Sequence, residues 1–325
     1  MVYLGKRQKG KQAEMVFSSG KKEDLRAGFT LILCFSRLWC FRKFFESFEK
    51  MKIPLENCNL LIIDNSNNTA LRDALLNRAR EYSEHFLTVR LYKTWRLYQR
   101  PLLTKKVISW KDSQNGPILG MHIDAMKLCK TDKFVMIEDD TLCPPDAVTR
   151  LLSLLHRYPD CGFATGIQAM RQSAAYLVTY PAVYYVTRNC CRIYEMVTPS
   201  PYLRGVHRVD GSGWYCFASY KNLFSRTTRL LLKVDDKTRN FAVDVLGVSY
   251  MNSLGYDVLA DFDLWTEHYS KLQGDDFIWK KKHCKPMVSM WIPKWKTYMK
   301  ATNLSEQEHY KLLRKLTKKK DRGLK

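Results

Sequence analysis

Short apolar segments alternate with helical segments along the first half of the chain, and this alternation limits the possible fold more than any other feature. Three apolar segments are typical of buried strands, namely Thr30 to Phe35, Asn59 to Ile63 and Lys133 to Ile137. Between them, Leu71 to Phe86 and Pro117 to Cys129 have helical periodicity. The alternation predicts an α/β fold with a largely parallel sheet flanked by helices. Ligands of such sheets bind at the carboxyl ends of the strands.

The chain divides into three predicted regions. Residues 1–27 are polar and basic without clear periodicity, so we expect a flexible arm and a fold that starts near Phe29. Residues 28–275 form the main domain, since the 46% of hydrophobic residues in the 325-residue chain is enough for a substantial core. Residues 276–325 form a basic, aromatic and helical extension, in which Ser305 and Glu308 form a capping box.

The sequence favours a cytoplasmic protein. The apolar run from Leu31 to Phe35 is far shorter than a membrane span, and the basic first residues lead into no apolar signal region. The ten cysteines are scattered without a CxxC pair or a zinc-finger spacing, which favours reduced thiols.

The charge of the chain favours a polyanionic partner. Its 54 basic and 32 acidic residues give a net charge of +22, and basic residues are concentrated from Trp279 to Lys325. Nucleic acid and a peripheral anionic membrane surface both fit this charge. In Trp291 to Tyr298, lysines alternate with aromatic residues, a pattern typical of DNA contacts. A solvated basic surface without any such partner is the alternative.

Polar clusters follow three of the predicted strands, and they indicate one shared cleft. They are Ser36-Arg37, Asp64 with the residues after it, and Glu138-Asp139-Asp140. In an extended segment, Glu138 and Asp140 face one ligand while Asp139 faces the other side. Carboxylate oxygens suit Mg²⁺ or Mn²⁺ bound to a diphosphate.

Each cluster also has a structural interpretation. The acidic triplet can cap the helix that starts at Pro144-Pro145, although three acids after an apolar strand are costly unless a cation meets them. Ser36-Arg37 can be a plain helix start, and the segment after Asp64 can be a polar turn. Asp244 can be a helix-start aspartate, and His268 can be a loop histidine.

The segment Phe134 to Asp140, followed by Pro144-Pro145 and a leucine-rich helix, resembles the DxD region of family 2-like GT-A glycosyltransferases. The resemblance covers most of residues 29–270 through the order of its motifs, and it implies a GT-A, Rossmann-like fold. It also implies that Asp140 binds the metal, Mn²⁺ or Mg²⁺, and that Glu138 lies near the nucleotide ribose.

The same resemblance implies roles for further residues. Ser36 and Arg37 sit where the family has its first nucleotide-contacting loop, Asp64 sits where an acid recognises the base, and Asp139 belongs to the same cofactor-binding set. His268 sits where many members have a histidine that completes the metal site or touches the diphosphate.

The segment from Val243-Asp244 to Gly255-Tyr256 is similar to the ED-to-GY helix of the family, which implies that Asp244 is the catalytic base. The chain departs from that pattern at Val243, where an acid is usual, and at Leu246, where a polar residue is common. Gly211 to Gly213 is interpreted as a tight segment near the acceptor, with Asp210 and Trp214 lining it.

The predicted function is a metal-dependent, inverting transfer of a sugar from a nucleotide-sugar donor, with a UDP-sugar favoured, to a hydroxyl group. The charge and the aromatic residues favour a hydroxymethylated base in DNA as the acceptor, as in GT-A enzymes that glycosylate modified pyrimidines. A cell-envelope glycan at the membrane surface is one alternative. A non-catalytic nucleic-acid-binding protein is another.

Overall fold

The protein has an α/β fold in a computed structural model. The structure describes residues 13–20, 26–94, 115–168, 183–185, 195–196, 205–232 and 243–269. The strands, in chain order, are β1 Ala13–Ser18, β2 Phe29–Phe35, β3 Cys58–Asp64, β4 Thr88–Thr94, β5 Lys133–Glu138, β6 Thr141–Leu142, β7 Cys161–Gln168, β8 Val183–Tyr185, β9 Glu195–Met196, β10 Val206–Arg208, β11 Gly211–Ser212, β12 Cys216–Tyr220 and β13 Asp257–His268. The helices are α1 Phe41–Phe48, α2 Thr69–Tyr82, α3 Asn115–Leu128, α4 Ala147–Arg157, α5 Lys221–Leu231 and α6 Val243–Ser253.

The central sheet has the order β1-β4-β3-β2-β5-β12-β7-β13-β10, with β6 paired to β13. Strands β4, β3, β2 and β5 are parallel to one another, and β13 is parallel to β7. Strand β12 runs antiparallel between β5 and β7. A small second sheet joins β11, β8 and β9. The predicted α/β class is therefore confirmed, with a mostly parallel sheet flanked by helices.

Helices cover both faces of the sheet, and this explains the continuous apolar sequence of its middle strands. Every residue of β2 and β3 is buried. On β2, Leu31 and Leu33 pack in one core with α1, α2 and α4, whereas Ile32 and Cys34 pack in a second core with α3, α5 and α6. A strand buried on both faces has no polar side to alternate with.

The N-terminal boundary of the predicted domain was wrong for residues 13–18. These residues form β1, which pairs antiparallel with β4 at the edge of the sheet instead of belonging to a flexible arm. Its residues are exposed or half-buried, and the strand is held by pairing with β4 and by the packing of Val16 and Phe17 against the core. An edge strand of this kind leaves little hydrophobic pattern in the sequence.

Strand β13 is much longer than predicted. The sequence indicated a strand over Asp257 to Ala260, but the strand continues to His268 and pairs there with β6. His268 therefore lies at the end of a strand and not in the loop after it. This extension brings the histidine beside the segment that follows the acidic triplet.

Three further predictions concern the cysteines, membrane-spanning helices and the basic extension. The seven cysteines in the described ranges are free thiols, and all of them are buried. No helix in those ranges is long and apolar enough to cross a membrane. The basic extension at 276–325, with its capping box and its lysine-aromatic segment, lies outside the described residues.

Gly166 on β7 lies close against the backbone of β13, and it provides a test of this packing. A Cβ at Gly166 would lie 2.5 Å from the carbonyl oxygen of Leu264, which is main chain and cannot rotate away. We expect Gly166→Ala to destabilise the protein by about 2 kcal/mol, because overpacking forces strands apart. Calorimetry should show a melting temperature lower by roughly 4–8 °C.

The matched control is Ser18→Ala on the exposed edge of β1, which should change stability by no more than about 0.5 kcal/mol. A melting temperature of Gly166→Ala equal to that of the control would contradict the close approach of β7 and β13.

Candidate active site

The carboxyl ends of β2, β3 and β5 bring the three predicted polar clusters together. In the parallel register, Phe35 stands opposite Asp64 and Cys34 stands opposite Glu138. The loops are also tied by main-chain hydrogen bonds, since the amide of Asp139 donates to the carbonyl of Cys34 at 3.1 Å. The three clusters therefore lie next to one another at the same edge of the sheet.

Arg37 is the centre of the site. Its Nε donates to Oδ1 of Asp139 at 2.9 Å, its Nη2 donates to the same oxygen, and its Nη1 donates to Oδ2 of Asp140 at 2.6 Å. The backbone amides of Ser36 and Arg37 each donate to Oδ2 of Asp139 at 2.8 Å. One guanidinium thus binds two carboxylates whose side chains are only 1% and 3% exposed.

The prediction that Asp139 and Asp140 face opposite sides was wrong. Strand β5 ends at Glu138, and Asp139 and Asp140 lie in the turn that follows, so the alternation of an extended strand does not apply to them. Asp139 and Asp140 both reach Arg37 instead of facing opposite sides. The turn forms because the carboxylate of Asp139 accepts the amides at the end of β2.

Burial and neighbouring charges shift the pKa values of two groups in the site. Burial alone would lower the pKa of Arg37, but Asp139 and Asp140 outweigh it and hold that pKa well above its ordinary value. Burial, and next the charge of Asp140, raise the pKa of Glu138 to about 8. As a whole residue, Glu138 is half-buried.

Asp140 and His268 form the candidate metal site. Nε2 of His268 lies 3.2 Å from Oδ2 of Asp140, and the amide of Tyr269 donates to the carbonyl of Asp140 at 2.7 Å. The pairing of His268 with Thr141 across β13 and β6 fixes this approach. An oxygen and an imidazole nitrogen at one point suit Mn²⁺ better than Mg²⁺.

The donor set fits a divalent cation that is shared with a ligand. No group of three His, Cys, Asp or Glu side chains within the described ranges is placed to hold an ion by itself. The remaining coordination positions would therefore be filled by ligand oxygens and water, as is usual for ions that bridge to phosphates. Glu138 stands beside this pair, and its burial is the main cause of the raised pKa of its carboxyl group.

Asp244 lies in the first turn of α6, as the sequence predicted. A Cβ on Gly213 would lie 3.4 Å from its Oδ2, so the Gly211 to Gly213 segment passes directly beside the carboxylate. Its charge also contributes to the raised pKa of Glu138. Burial raises the pKa of Asp244 itself, and the amide of Val245 partly opposes this by donating to Oδ1 at 2.9 Å.

Asp64 is placed at the cleft but is held by the protein. It is fully buried, its Oδ1 accepts from the amide and hydroxyl of Ser66, and its Oδ2 lies 3.4 Å from both Arg72 Nε and Lys93 Nζ. Its predicted contact with a nucleotide base stays a prediction. A ligand would reach this carboxylate only by displacing one of the two cations.

The sequence analysis did not predict that Arg72 and Lys93 lie beside Asp64, and it misplaced one aromatic residue. Lys93 stands near the carboxyl end of β4, and this position is the feature of the sequence that could have indicated its contact with Asp64. Trp214, interpreted as lining the acceptor site, is 3% exposed and packs in the core against His122 and Gly247.

The backbone is similar to that of solved glycosyltransferases. A crystal structure of GalNAc-T7 with UDP, GalNAc and Mn²⁺ matches with a TM-score of 0.50 and 12% sequence identity, covering 78% of this chain and 45% of that chain. The mannosyltransferase PcManGT from Pyrobaculum calidifontis, in complex with GDP-Man and Mn²⁺, matches with a TM-score of 0.47 and 11% identity, covering 77% of this chain and 59% of that one. This chain thus spans about half the length of the proteins it matches.

No protein-family model and no curated protein sequence matches the chain. At 12% identity, the likeness to GalNAc-T7 establishes the fold alone. That fold is GT-A, the fold of nucleotide-sugar glycosyltransferases, and it agrees with the fold that the motif order implied.

The ion pairs of Arg37 predict a large loss of stability when this residue is truncated. Arg37→Ala would leave Asp139 and Asp140 buried beside Glu138 without a cation, and breaking a buried pair in this way costs about 3–5 kcal/mol. Chemical denaturation should show this loss. Arg42→Ala, which removes an exposed pair with Glu46, is the control and should cost less than about 1 kcal/mol. Equal losses in the two variants would contradict the central place of Arg37.

The raised pKa of Asp244 predicts a stability that depends on pH. Because the folded protein binds this proton more tightly than the unfolded chain, ionisation of Asp244 costs stability as the pH rises from the ordinary value of 3.8 through the raised folded value. Asp244→Asn should therefore stabilise the protein by on the order of 1 kcal/mol at pH 8 and by less at pH 4.5. A gain that is equal at both pH values, or a loss at pH 8, would contradict this placement of Asp244.

Proposed function

We propose that this chain transfers a sugar from a nucleoside diphosphate donor to a hydroxyl group, with inversion at the anomeric carbon. The observation that carries the proposal is the contact of His268 with Asp140 beside Glu138, at the carboxyl ends of parallel strands, with the charge of Asp244 acting on the pKa of Glu138. The turn after β5, strand β13 and helix α6 each contribute one of the three side chains.

Asp140 and His268 would hold Mn²⁺, with Mg²⁺ as the alternative, and the ion would neutralise charge on the departing diphosphate. His268 must be neutral to act as a ligand, since a protonated imidazole has no free nitrogen. Arg37 fixes the rotamer of Asp140 through the 2.6 Å hydrogen bond, so this carboxylate is aimed before any ligand arrives. Asp139 acts through the loop, because both of its oxygens are already bound by Arg37 and the backbone.

The nucleotide would lie along the loops after β2, β3 and β5. Ser36 and Glu138 are half-buried at the ends of neighbouring strands, so both can meet ribose hydroxyls or phosphate oxygens. Glu138 in its protonated form can donate one hydrogen bond and accept another. Asp64 lies one strand further along and is proposed to meet the base. A UDP-sugar is the donor that we favour.

Asp244 is the proposed general base. As the acceptor oxygen attacks the anomeric carbon, its proton moves to the Asp244 carboxylate, while the bond to the phosphate oxygen breaks and its electron pair leaves with the diphosphate. Burial raises the pKa of this carboxyl group and so makes the carboxylate a stronger base than an exposed aspartate. Attack from the side opposite the leaving group gives inversion.

Two substitutions separate the roles of metal ligand and base. Asp244→Asn should keep binding of a nucleotide-sugar with Mn²⁺ and lower turnover by at least about 100-fold, since general-base catalysis contributes that much or more. Asp140→Ala should lose both the Mn²⁺-dependent binding and the turnover. Thermal shift with UDP-sugars, with and without Mn²⁺, measures the binding.

Ser249→Ala is the control on the same helix, because its hydroxyl donates to the main-chain carbonyl of Asp210 and carries no charge. It should bind and turn over like the wild type within about threefold. Wild-type turnover in Asp244→Asn would remove Asp244 as the base, and Mn²⁺-dependent binding in Asp140→Ala would remove Asp140 as the ligand.

For the acceptor, we propose a hydroxymethylated base in DNA. The support is the net charge of +22 and the lysine-aromatic pattern between Trp291 and Tyr298. In the described ranges, acidic and basic residues nearly cancel, so the excess positive charge comes from the rest of the chain. A cell-envelope glycan at an anionic membrane is the competing acceptor.

Transfer to DNA is measurable with a labelled donor and matched duplexes. Hydroxymethylated DNA should take up the label, plain DNA of the same sequence should not, and binding of both should weaken steeply between 50 and 200 mM salt. If only an oligosaccharide takes up the label, the acceptor is a glycan and the DNA proposal is wrong.

A further inference from the structure

A groove of about 380 Å³ lies on the outer side of the strand that carries His268. Helix α1 and the turn after it form one wall, with Lys43, Glu46 and Ser47 from the helix and Lys50 from the turn. Strand β13 contributes Trp265 and Glu267 to the other wall, and residues 142–145 line the groove between them. This volume falls within the range of pockets that hold small molecules.

The groove and the candidate metal site use opposite faces of β13. Trp265 and Glu267 are exposed, while Thr266 between them is buried. His268 follows Glu267 and points to the other face, where it meets Asp140 at 3.2 Å. A ligand in the groove is therefore separated from the cleft by the strand, and both sites can be filled at the same time.

The walls of the groove are held in place before any ligand binds. The hydroxyl of Ser47 on α1 donates to the carbonyl of Cys143 at 3.0 Å and accepts from its amide at 3.1 Å. The amide of Lys52 donates to the carbonyl of Pro145 at 2.7 Å. Trp265 stands in a strand that is paired with β7 at Ile167. A site of fixed shape loses little entropy when it binds a ligand.

Trp265 gives the groove an apolar wall. It is 44% exposed, which leaves much of a large aromatic surface open to solvent at a concave site. The flat face of an indole packs against flat, partly apolar rings, while the groups around it provide hydrogen bonds. The C–H face of a pyranose ring has this shape and character.

The charges of the groove favour a neutral, hydroxyl-rich ligand. Lys43 is paired with Glu46 at 2.9 Å, and Lys50 on one wall balances Glu267 on the other. Two cations and two anions give no net attraction for phosphate, so a nucleic-acid backbone is disfavoured here. Ammonium donors and carboxylate acceptors on facing walls suit sugar hydroxyls, which both donate and accept.

We propose that this groove is a second saccharide-binding site, which binds one neutral pyranose ring with Trp265 as its stacking surface. It goes beyond the proposed transfer reaction and does not require it. A saccharide in the groove would hold a glycan on the enzyme while a nucleotide-sugar occupies the cleft.

Saturation-transfer NMR tests the proposal on the full chain without metal or nucleotide. The probes are methyl glucoside, methyl galactoside, methyl mannoside and their disaccharides. We expect at least one of them to receive saturation at its ring protons from the wild-type protein. Trp265→Ala should weaken that binding about tenfold, and Trp265→Phe should retain part of it, because an aromatic face remains. Tyr158→Ala removes an exposed aromatic residue elsewhere and should leave the binding unchanged.

Three results would overturn the proposal. They are no saturation of any probe, unchanged binding in Trp265→Ala, and displacement of the probe by UDP with Mn²⁺, which would place the sugar in the cleft. Because the probes are added without donor, loss of the transferase function would appear separately, as absence of Mn²⁺-dependent UDP-sugar binding with saccharide binding retained.

Discussion

The contact between Arg37 and the carboxylates of Asp139 and Asp140 is the interaction on which the rest of the site depends. It joins the end of β2 to the turn after β5, two segments that are more than a hundred residues apart in the chain. Without a cation, two nearly buried carboxylates next to Glu138 would be very unfavourable. The guanidinium makes the acidic turn possible, and its planar fork sets the direction of Asp140 toward His268.

The site keeps groups that reduce the stability of the fold. Asp244 and Glu138 both have raised pKa values, chiefly because burial disfavours their charged forms. Lys93 has a lowered pKa because of its burial, which Asp64 only partly offsets. Perturbed groups that lie in one cleft are typical of functional sites. These groups lie near the carboxyl ends of the parallel strands, which is where ligands of such sheets bind.

The sequence predicted the strands and the clustering of polar residues well, because the middles of β2, β3 and β5 are apolar and buried, and polar residues stand at or directly after their carboxyl ends. The sequence-based predictions failed at positions where main-chain contacts determine the structure. Strand β1 is held by pairing with β4, and the turn at Asp139 is held by backbone amides. The position of Trp214 was predicted wrongly, because an aromatic residue beside glycines gives the same sequence pattern whether it lines a cleft or packs in a core. The approach of His268 to Asp140 depends on pairing between β6 and β13, which no local pattern shows.

The most direct test of the central claim is release of nucleoside diphosphate. Incubating the full chain with UDP- and GDP-sugars, and measuring free UDP or GDP with and without Mn²⁺, reports cleavage of the donor whatever the acceptor is. We predict that one donor is cleaved in the presence of Mn²⁺, and that cleavage stops when the ion is removed with a chelator. Absence of cleavage and of binding for every donor with Mn²⁺, by a protein that is folded, would contradict it.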